Sequence, residues 1–360
     1  MIKFAQRTGT HVAPRANTKL MTRRTLISGG VGIAVAAALD RDLSAAPPKS
    51  TMGIATTSYM TFARYRDPIP FMDRCHDLGA AGIQIQLPAD LASLHKIRQH
   101  AGELGMFVEA MAPMPKSNDT SAFEEALKNA KEAGAIAART GTSGGRRYEK
   151  WNSLNDWKAF VEESTAATKK IAPIAERLKI PVGMENHKDW TIDEELSLMK
   201  QYSGEYFGTL LDFGNNIALL DSPESILELA PYAKMCHMKD MAVQEYPKGF
   251  LLSEVPLGEG ILDLRKIVDA VRAANPKAKF SLEMITRDPL EVPCLTEKYW
   301  ITFPDRNGVY LARTLAMVRK SSARLQPLPT FATLSKDAQL RVENDNVKQC
   351  LNYAREKLNL

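Results

Sequence analysis

Four residues capable of one shared chemistry stand at the ends of short apolar runs. They are Glu185 in IPVGMEN, Asp212 in YFGTLLDFGN, His237 in YAKMCHMKD and Glu283 in AKFSLEM. Three carboxylates and one imidazole form a hard, oxygen-rich donor set that suits one divalent cation, Mn²⁺ first, with Mg²⁺ or Co²⁺ as alternatives. Each residue has an ordinary reading when taken alone. Glu185 could be a salt-bridge partner, Asp212 a helix cap and His237 a core histidine. An unpaired carboxylate buried behind an apolar run is costly, however. Four such residues at successive run ends point to a single cation that neutralises them.

Other residues surround this set. His187 shares a face with Glu185 if the run continues as a strand, and is a candidate for holding a substrate hydroxyl or passing a proton. Lys239 and Asp240 follow His237 as candidates to bind substrate or orient a ligand. Arg139, Arg146 and Arg147 flank a glycine-rich loop, TGTSGG (140–145), which could admit an anionic or phosphorylated substrate.

The elements that must position these groups alternate. Apolar runs at 52–60, 82–87, 106–112 and 136–140 read as strands, and the four runs above supply four more. Amphipathic stretches lie between them at 67–80, 91–104, 121–135, 153–179, 191–201, 222–230 and 263–274. Repeated β-then-α order implies a parallel sheet. Eight units over this length suit a closed (β/α)₈ TIM barrel, whose active site gathers at the C-terminal strand ends. An open doubly wound sheet would usually carry a glycine-rich turn after its first strand, and TTSYMTF (56–62) has none. The expected organisation is an export segment at 1–50, a barrel at 51–290 and a C-terminal helical extension at 291–360. That extension either closes the last helical position, wraps the outer wall or serves a homo-oligomer.

The segments GMENH (183–187), LLDFGN (210–215), HMKD (237–240), PLGEGILD (256–263) and SLEM (281–284) together resemble the xylose isomerase-like barrels of sugar isomerases and epimerases. That family includes tagatose 3-epimerase-like enzymes, hydroxypyruvate isomerase and inosose dehydratase. The resemblance covers about residues 52–290. It implies one divalent cation on Glu185, Asp212, His237 and Glu283, with Glu185 and Glu283 as a base and acid pair on opposite faces of the substrate. Glu259 lies in a family motif that shapes the loop before the last helix, which implies a structural or substrate-binding role for it. Many epimerase-like relatives carry a substrate-contacting histidine three residues after the metal Asp, and Asn215 stands there in this chain. The chemistry implied is proton removal beside a sugar carbonyl to give an enediolate, the ion holding the carbonyl and a neighbouring hydroxyl. Return of the proton gives an isomerase or epimerase of a ketose or keto-sugar. Loss of a β leaving group gives a lyase or dehydratase of a keto-sugar or keto-glycoside instead.

Charge and targeting narrow the class. Residues 1–50 hold eight basic and two acidic residues out of totals of 47 and 42, so the remainder is nearly neutral. The rest of the chain therefore lacks the basic excess of a nucleic-acid binder. An endonuclease IV-like barrel would need a histidine-rich trinuclear zinc cluster, and only His76, His95, His100, His187 and His237 follow the leader. Arg23-Arg24, the apolar stretch Leu26–Leu39 and Ser44-Ala45-Ala46 have the order of a twin-arginine export signal. The apolar part, at about 14 residues, is short of a membrane span. The expectation is a periplasmic or secreted protein with a small carbohydrate substrate and no stable membrane insertion. Cys75, Cys236, Cys294 and Cys350 form no CxxC pair.

Overall fold

A computed structural model describes residues 49–61, 67–116, 118–142, 145–322 and 327–360. The expected export signal at 1–48 lies outside the described residues, as do Ser143 and Gly144 of the glycine-rich loop. Residues 49–360 fall in the compact unit Ala45–Leu360.

The barrel begins with β1 (Gly53–Ala55), α1 (Pro68–Asp77), β2 (Gly82–Ile85), α2 (Leu91–Leu104), β3 (Phe107–Met111) and α3 (Ser121–Glu132). It continues with β4 (Ala137–Thr140), the short α4 (Arg147–Lys150), α5 (Leu154–Leu178), β5 (Val182–Glu185), α6 (Ile192–Tyr202), β6 (Phe207–Asp212) and β7 (Ala233–Met238). An antiparallel pair, β8 (Asp240–Tyr246) and β9 (Gly249–Val255), precedes α7 (Leu264–Ala274) and β10 (Phe280–Leu282). Among the described residues, β1, β10, β7, β6, β5, β4, β3 and β2 close a ring in that order, with every neighbouring pair parallel. All residues of β5 and β6 are buried, as expected of parallel strands covered on one face by helices and on the other by the barrel interior.

Helix boundaries follow local chemistry. The Asp90 side chain caps α2 by accepting from the Ser93 N–H at 2.8 Å, and Gly105 ends the helix in the left-handed region at φ 65°. Thr191 and Glu194 form a reciprocal capping box that starts α6 directly behind the Glu185 loop. Two expectations change. The segment read as a helix at 222–230 is a 3₁₀ turn, Pro223–Tyr232, with Pro231 inside it; proline has no N–H to continue an α-helical ladder. The β8–β9 hairpin was not expected, because its residues are buried on both faces and show no clean alternation.

Beyond the ring, β11 (Leu290–Val292) extends the hairpin into a three-stranded sheet. Then come α8 (Glu297–Trp300), α9 (Gly308–Ser322) and α10 (Lys336–Tyr353). Of the three roles expected for the extension, α10 takes the first. Asn344 accepts from the Tyr59 hydroxyl at 3.2 Å and also bonds Arg74 of α1. Arg265 and Arg272 of α7 donate to the Leu358 carbonyl at 3.3 and 3.2 Å. The chain end thus fills the eighth helical place, between α7 and α1. All four cysteines are buried free thiols. Among the described residues no helix is long and apolar enough to cross a membrane.

Candidate metal centre

The register of the ring sets the four predicted ligands at one level. Asp212 pairs directly with His237 across β6 and β7. Glu185 ends β5 one strand away, and the Glu283 N–H, just past β10, donates to the Met238 carbonyl at 2.9 Å. One donor atom from each of Glu185, Asp212, His237 and Glu283 lies within 4.8 Å of the other three, and all four residues are buried. His237 Nδ1 faces Glu185 Oε1 at 3.6 Å, Asp212 Oδ2 at 3.7 Å and Glu283 Oε1 at 3.5 Å.

The orientation of His237 follows from the barrel interior. Its Nε2–H donates to Gln84 Oε1 at 2.7 Å. The Gln84 amide cannot turn over without cost, because its Nε2 donates to Glu109 Oε2 at 3.1 Å. That same carboxylate oxygen accepts from the Ser281 hydroxyl at 2.7 Å. With Nε2 carrying the proton, the lone pair of neutral imidazole sits on Nδ1, a buried atom with no hydrogen-bond partner. A lone pair held toward three carboxylates by an outer hydrogen bond is the arrangement of a metal-ligating histidine. The residues present therefore fit a divalent metal site.

Electrostatics agree. Burial pulls His237 down, but Glu283, Asp212 and Glu185 outweigh it and hold the imidazole up at about 9. Burial pushes Glu185 up, yet the Arg139 guanidinium and His237 bring it well below the usual carboxylate range. Glu283 is likewise lowered against its burial, by His237 and Lys239. Burial raises Glu109 to about 7, outweighing the hydrogen bonds from Ser281 and Gln84 and the charges of His237 and Lys279.

Each remaining sequence candidate has a definite place. Lys239, a candidate to bind substrate or orient a ligand, puts its ammonium inside the cluster, 2.7 Å from Asp212 Oδ2 and 2.5 Å from Glu283 Oε2. Asn215, also expected at substrate, is buried. Its backbone N–H donates to Asp212 Oδ1 at 3.0 Å, and its amide reaches Glu185 Oε1 at 3.4 Å and the Asn186 carbonyl at 3.2 Å. It orients two ligands. Glu259 is exposed and bonds Gln349 of α10, and it does not line the cavity beside the quartet. His187 does line that cavity, with its Nδ1–H donating to the Gly145 carbonyl at 3.1 Å. Asp240 grips the loop that carries Glu259 by accepting from the N–H groups of Met241, Gly258, Gly260 and Leu262 at 2.9 to 3.2 Å. Of the three loop arginines, only Arg139 faces the centre, donating from Nε to Glu185 Oε2 at 2.7 Å. Arg146 pairs with Glu149 at 2.8 Å. Arg147 is buried between the rings of Trp157 and Phe303, at 3.6 and 4.1 Å to their centroids, and bonds Glu194 at 2.7 Å. Its role is to dock the chain near residue 303 on the barrel.

The cavity beside Glu185 encloses about 640 Å³. It is bordered by Arg139, His187, Met111 and Phe160 among others, and its size is ordinary for a small-molecule site. Four supporting residues were absent from the sequence reading: Gln84, Glu109, Asn186 and Thr57. Asn186 exchanges two hydrogen bonds with the Asp212 backbone, at 2.6 and 2.8 Å, and Thr57 donates to Glu283 Oε1 at 3.1 Å. The signal for Gln84 and Glu109 was present, since each is a lone polar residue inside an apolar strand, in GIQI and FVEAM.

Comparisons with known proteins place this geometry. The chain is 26% identical over 234 residues to 3-oxo-isoapionate decarboxylase of Pectobacterium atrosepticum, which covers 61% of this chain and 80% of that protein. The structure of a D-psicose 3-epimerase in the presence of D-fructose aligns over 76% of this chain and 99% of its own, with 17% identity and a TM-score of 0.49. A 3-keto-D-glucoside 4-epimerase from E. coli aligns over 76% and 100%, with 13% identity and the same TM-score. The family model described as xylose isomerase-like TIM barrel matches residues 72–301, well over half of the sequence. With its closed parallel ring and the match over those residues, the chain belongs to the xylose isomerase-like TIM barrel family.

Proposed function

We propose that this chain is a divalent-metal-dependent sugar isomerase or epimerase, which moves the proton beside the carbonyl of a ketose or keto-sugar. The observation that carries the reading is the Nδ1 lone pair of His237, held toward Glu185, Asp212 and Glu283 at the edge of a sugar-sized cavity. A divalent cation bound there, Mn²⁺ by preference for a hard donor set, supplies polarisation of a carbonyl and neutralises the charge that grows as the proton leaves. The protein's own groups do the rest. Glu185 and Glu283 are both kept ionised, as proton acceptors must be. They enter from strands separated by β6 and β7 in the ring, which suits removal from one face and return on the other. Arg139 and Lys239 fix the carboxylate oxygens that face away from His237. His187, anchored through Nδ1, presents its other nitrogen for a substrate hydroxyl. The family membership agrees with this assignment.

A second reading has the same centre lose a group from a keto-sugar: a β leaving group departs in place of proton return, or CO₂ leaves a β-keto acid in place of proton removal and the enolate then takes up a proton. It draws on the relative named 3-oxo-isoapionate decarboxylase. Incubating Mn²⁺-loaded protein with ketoses, 3-keto-glycosides and β-keto sugar acids in D₂O tests both. Deuterium in an intact sugar supports the first reading. An unsaturated product or released CO₂ supports the second. Neither outcome across the panel sinks both. We also infer export through the paired arginines of the leader. Fractionation of cells expressing the chain with Arg23→Lys and Arg24→Lys should then show it retained in the cytoplasm.

A further inference from the structure

We propose that the substrate carries an oxyanion, a carboxylate or a phosphate monoester, which Lys116 and Lys150 hold at the rim of the cavity bordered by Glu185. This rests on reading the quartet as the reacting centre.

Glu185, Asp212 and Glu283 carry three negative charges. Lys239 and Arg139, both in direct contact with these carboxylates, carry two positive ones. A divalent cation in the quartet turns that deficit into an excess of one positive charge. The cavity alongside does not offset it. Its wall adds Lys116 and Lys150 against Glu163, so the positive excess is larger with the cavity wall included. Lys150 lies over the rings of Trp151 and Phe160, at 5.0 and 5.8 Å to their centroids, and Phe160 lines the same cavity. Aromatic faces beside an ammonium restrict where it points. Arg139 lines the same cavity as these lysines and Glu185, and it bonds that carboxylate through Nε and one terminal nitrogen. Its remaining N–H donors lie in the forked geometry that suits oxyanions. A neutral polyol makes no ion pair with Lys116 or Lys150. An oxyanion does, and it is drawn toward the cavity by the field of the whole cluster.

Calorimetric titration of Mn²⁺-loaded protein with three matched, unreactive ligands tests this. They are methyl β-D-glucopyranoside, its 6-carboxylate (the methyl glucuronoside) and its 6-phosphate. At about 0.1 M salt the better charged ligand should bind roughly tenfold tighter than the neutral one. The advantage should shrink sharply near 1 M salt, where screening acts within about 3 Å. Whichever charged ligand wins identifies the oxyanion. The variant Lys116→Ala/Lys150→Ala changes only exposed side chains, and circular dichroism checks its fold. In it the advantage should fall to within about twofold. Equal affinity of all three ligands, or no binding by either charged one, overturns the proposal. So does an undiminished advantage in the double variant, which would assign the preference to the metal. These readings need no turnover, so a failure of deuterium exchange would overturn the proposed reaction and leave this inference standing.

Discussion

Gln84 decides which nitrogen of His237 is free, although its own side chain touches no proposed ligand except that ring. Replacing it by Leu keeps the volume and removes both hydrogen bonds, leaving the His237 Nε2–H without a partner and Glu109 Oε2 with the Ser281 hydroxyl alone. Loss of such an outer partner weakens metal binding by about 10- to 100-fold. Gln84→Leu should therefore show that loss for Mn²⁺ or Co²⁺ by chelator competition, with an unchanged circular dichroism spectrum. Affinity equal to that of the unaltered protein would reduce the relay to packing. A pH dependence follows from the same ring. Without metal, His237 keeps a second proton up to about 9, and a cation must displace it. Affinity should then climb with pH, by about tenfold per unit below that value, and level off above it. A flat profile between neutral pH and about 9 would show that Nδ1 is not a ligand. The four ligands were legible in the sequence because each interrupts an apolar run. Gln84 and Glu109 interrupt apolar runs too, but their partners His237 and Ser281 lie 153 and 172 residues away.

At the scale of elements, the loop between β9 and α7 shows how a motif expected to shape this turn does so. PLGEGILD wraps the Asp240 carboxylate. Gly258 adopts φ 89°, and a Cβ on Gly260 would fall 2.0 Å from Asp240 Oδ1. Only glycine lets the backbone close around that oxygen. Glu259 is carried outward to α10 as a result. Asp240→Asn would exchange an accepting oxygen for an amide facing two N–H donors. The destabilisation should be about 2 kcal/mol or more, read as a lower urea midpoint with metal binding retained. An unchanged midpoint would mean that the β8–β9 hairpin alone holds the loop. The glycine spacing was visible in the sequence. What the glycines enclose was not, because Asp240 reaches them from the far end of a hairpin whose alternation is masked by burial on both faces.

The whole molecule is closed by its end. Val347, Cys350 and Leu351 of α10, with Leu358 beyond it, are buried against the barrel. At roughly 1.5–3 kcal/mol for each large apolar side chain, their removal approaches the about 5–15 kcal/mol that holds a typical domain together. A chain ending at residue 334 should lose its cooperative unfolding transition and aggregate; a cooperative melt in that truncation would show the eighth helical place to be dispensable. The sequence by itself determined the alternation of strand and helix, the number of barrel units and the identity of the quartet. These are local properties, because apolar runs report burial and polar residues that break them report a site. Tertiary structure alone decided that α10 supplies the last helix, that Lys239 lies among the ligands and that Asn215 orients them. It also separated Arg139, at the centre, from Arg147, which staples the extension. The physical reason is closure. Once β1 meets β10, residues far apart in the chain face one another across the interior, and their distances depend on ring order and register rather than on spacing along the chain.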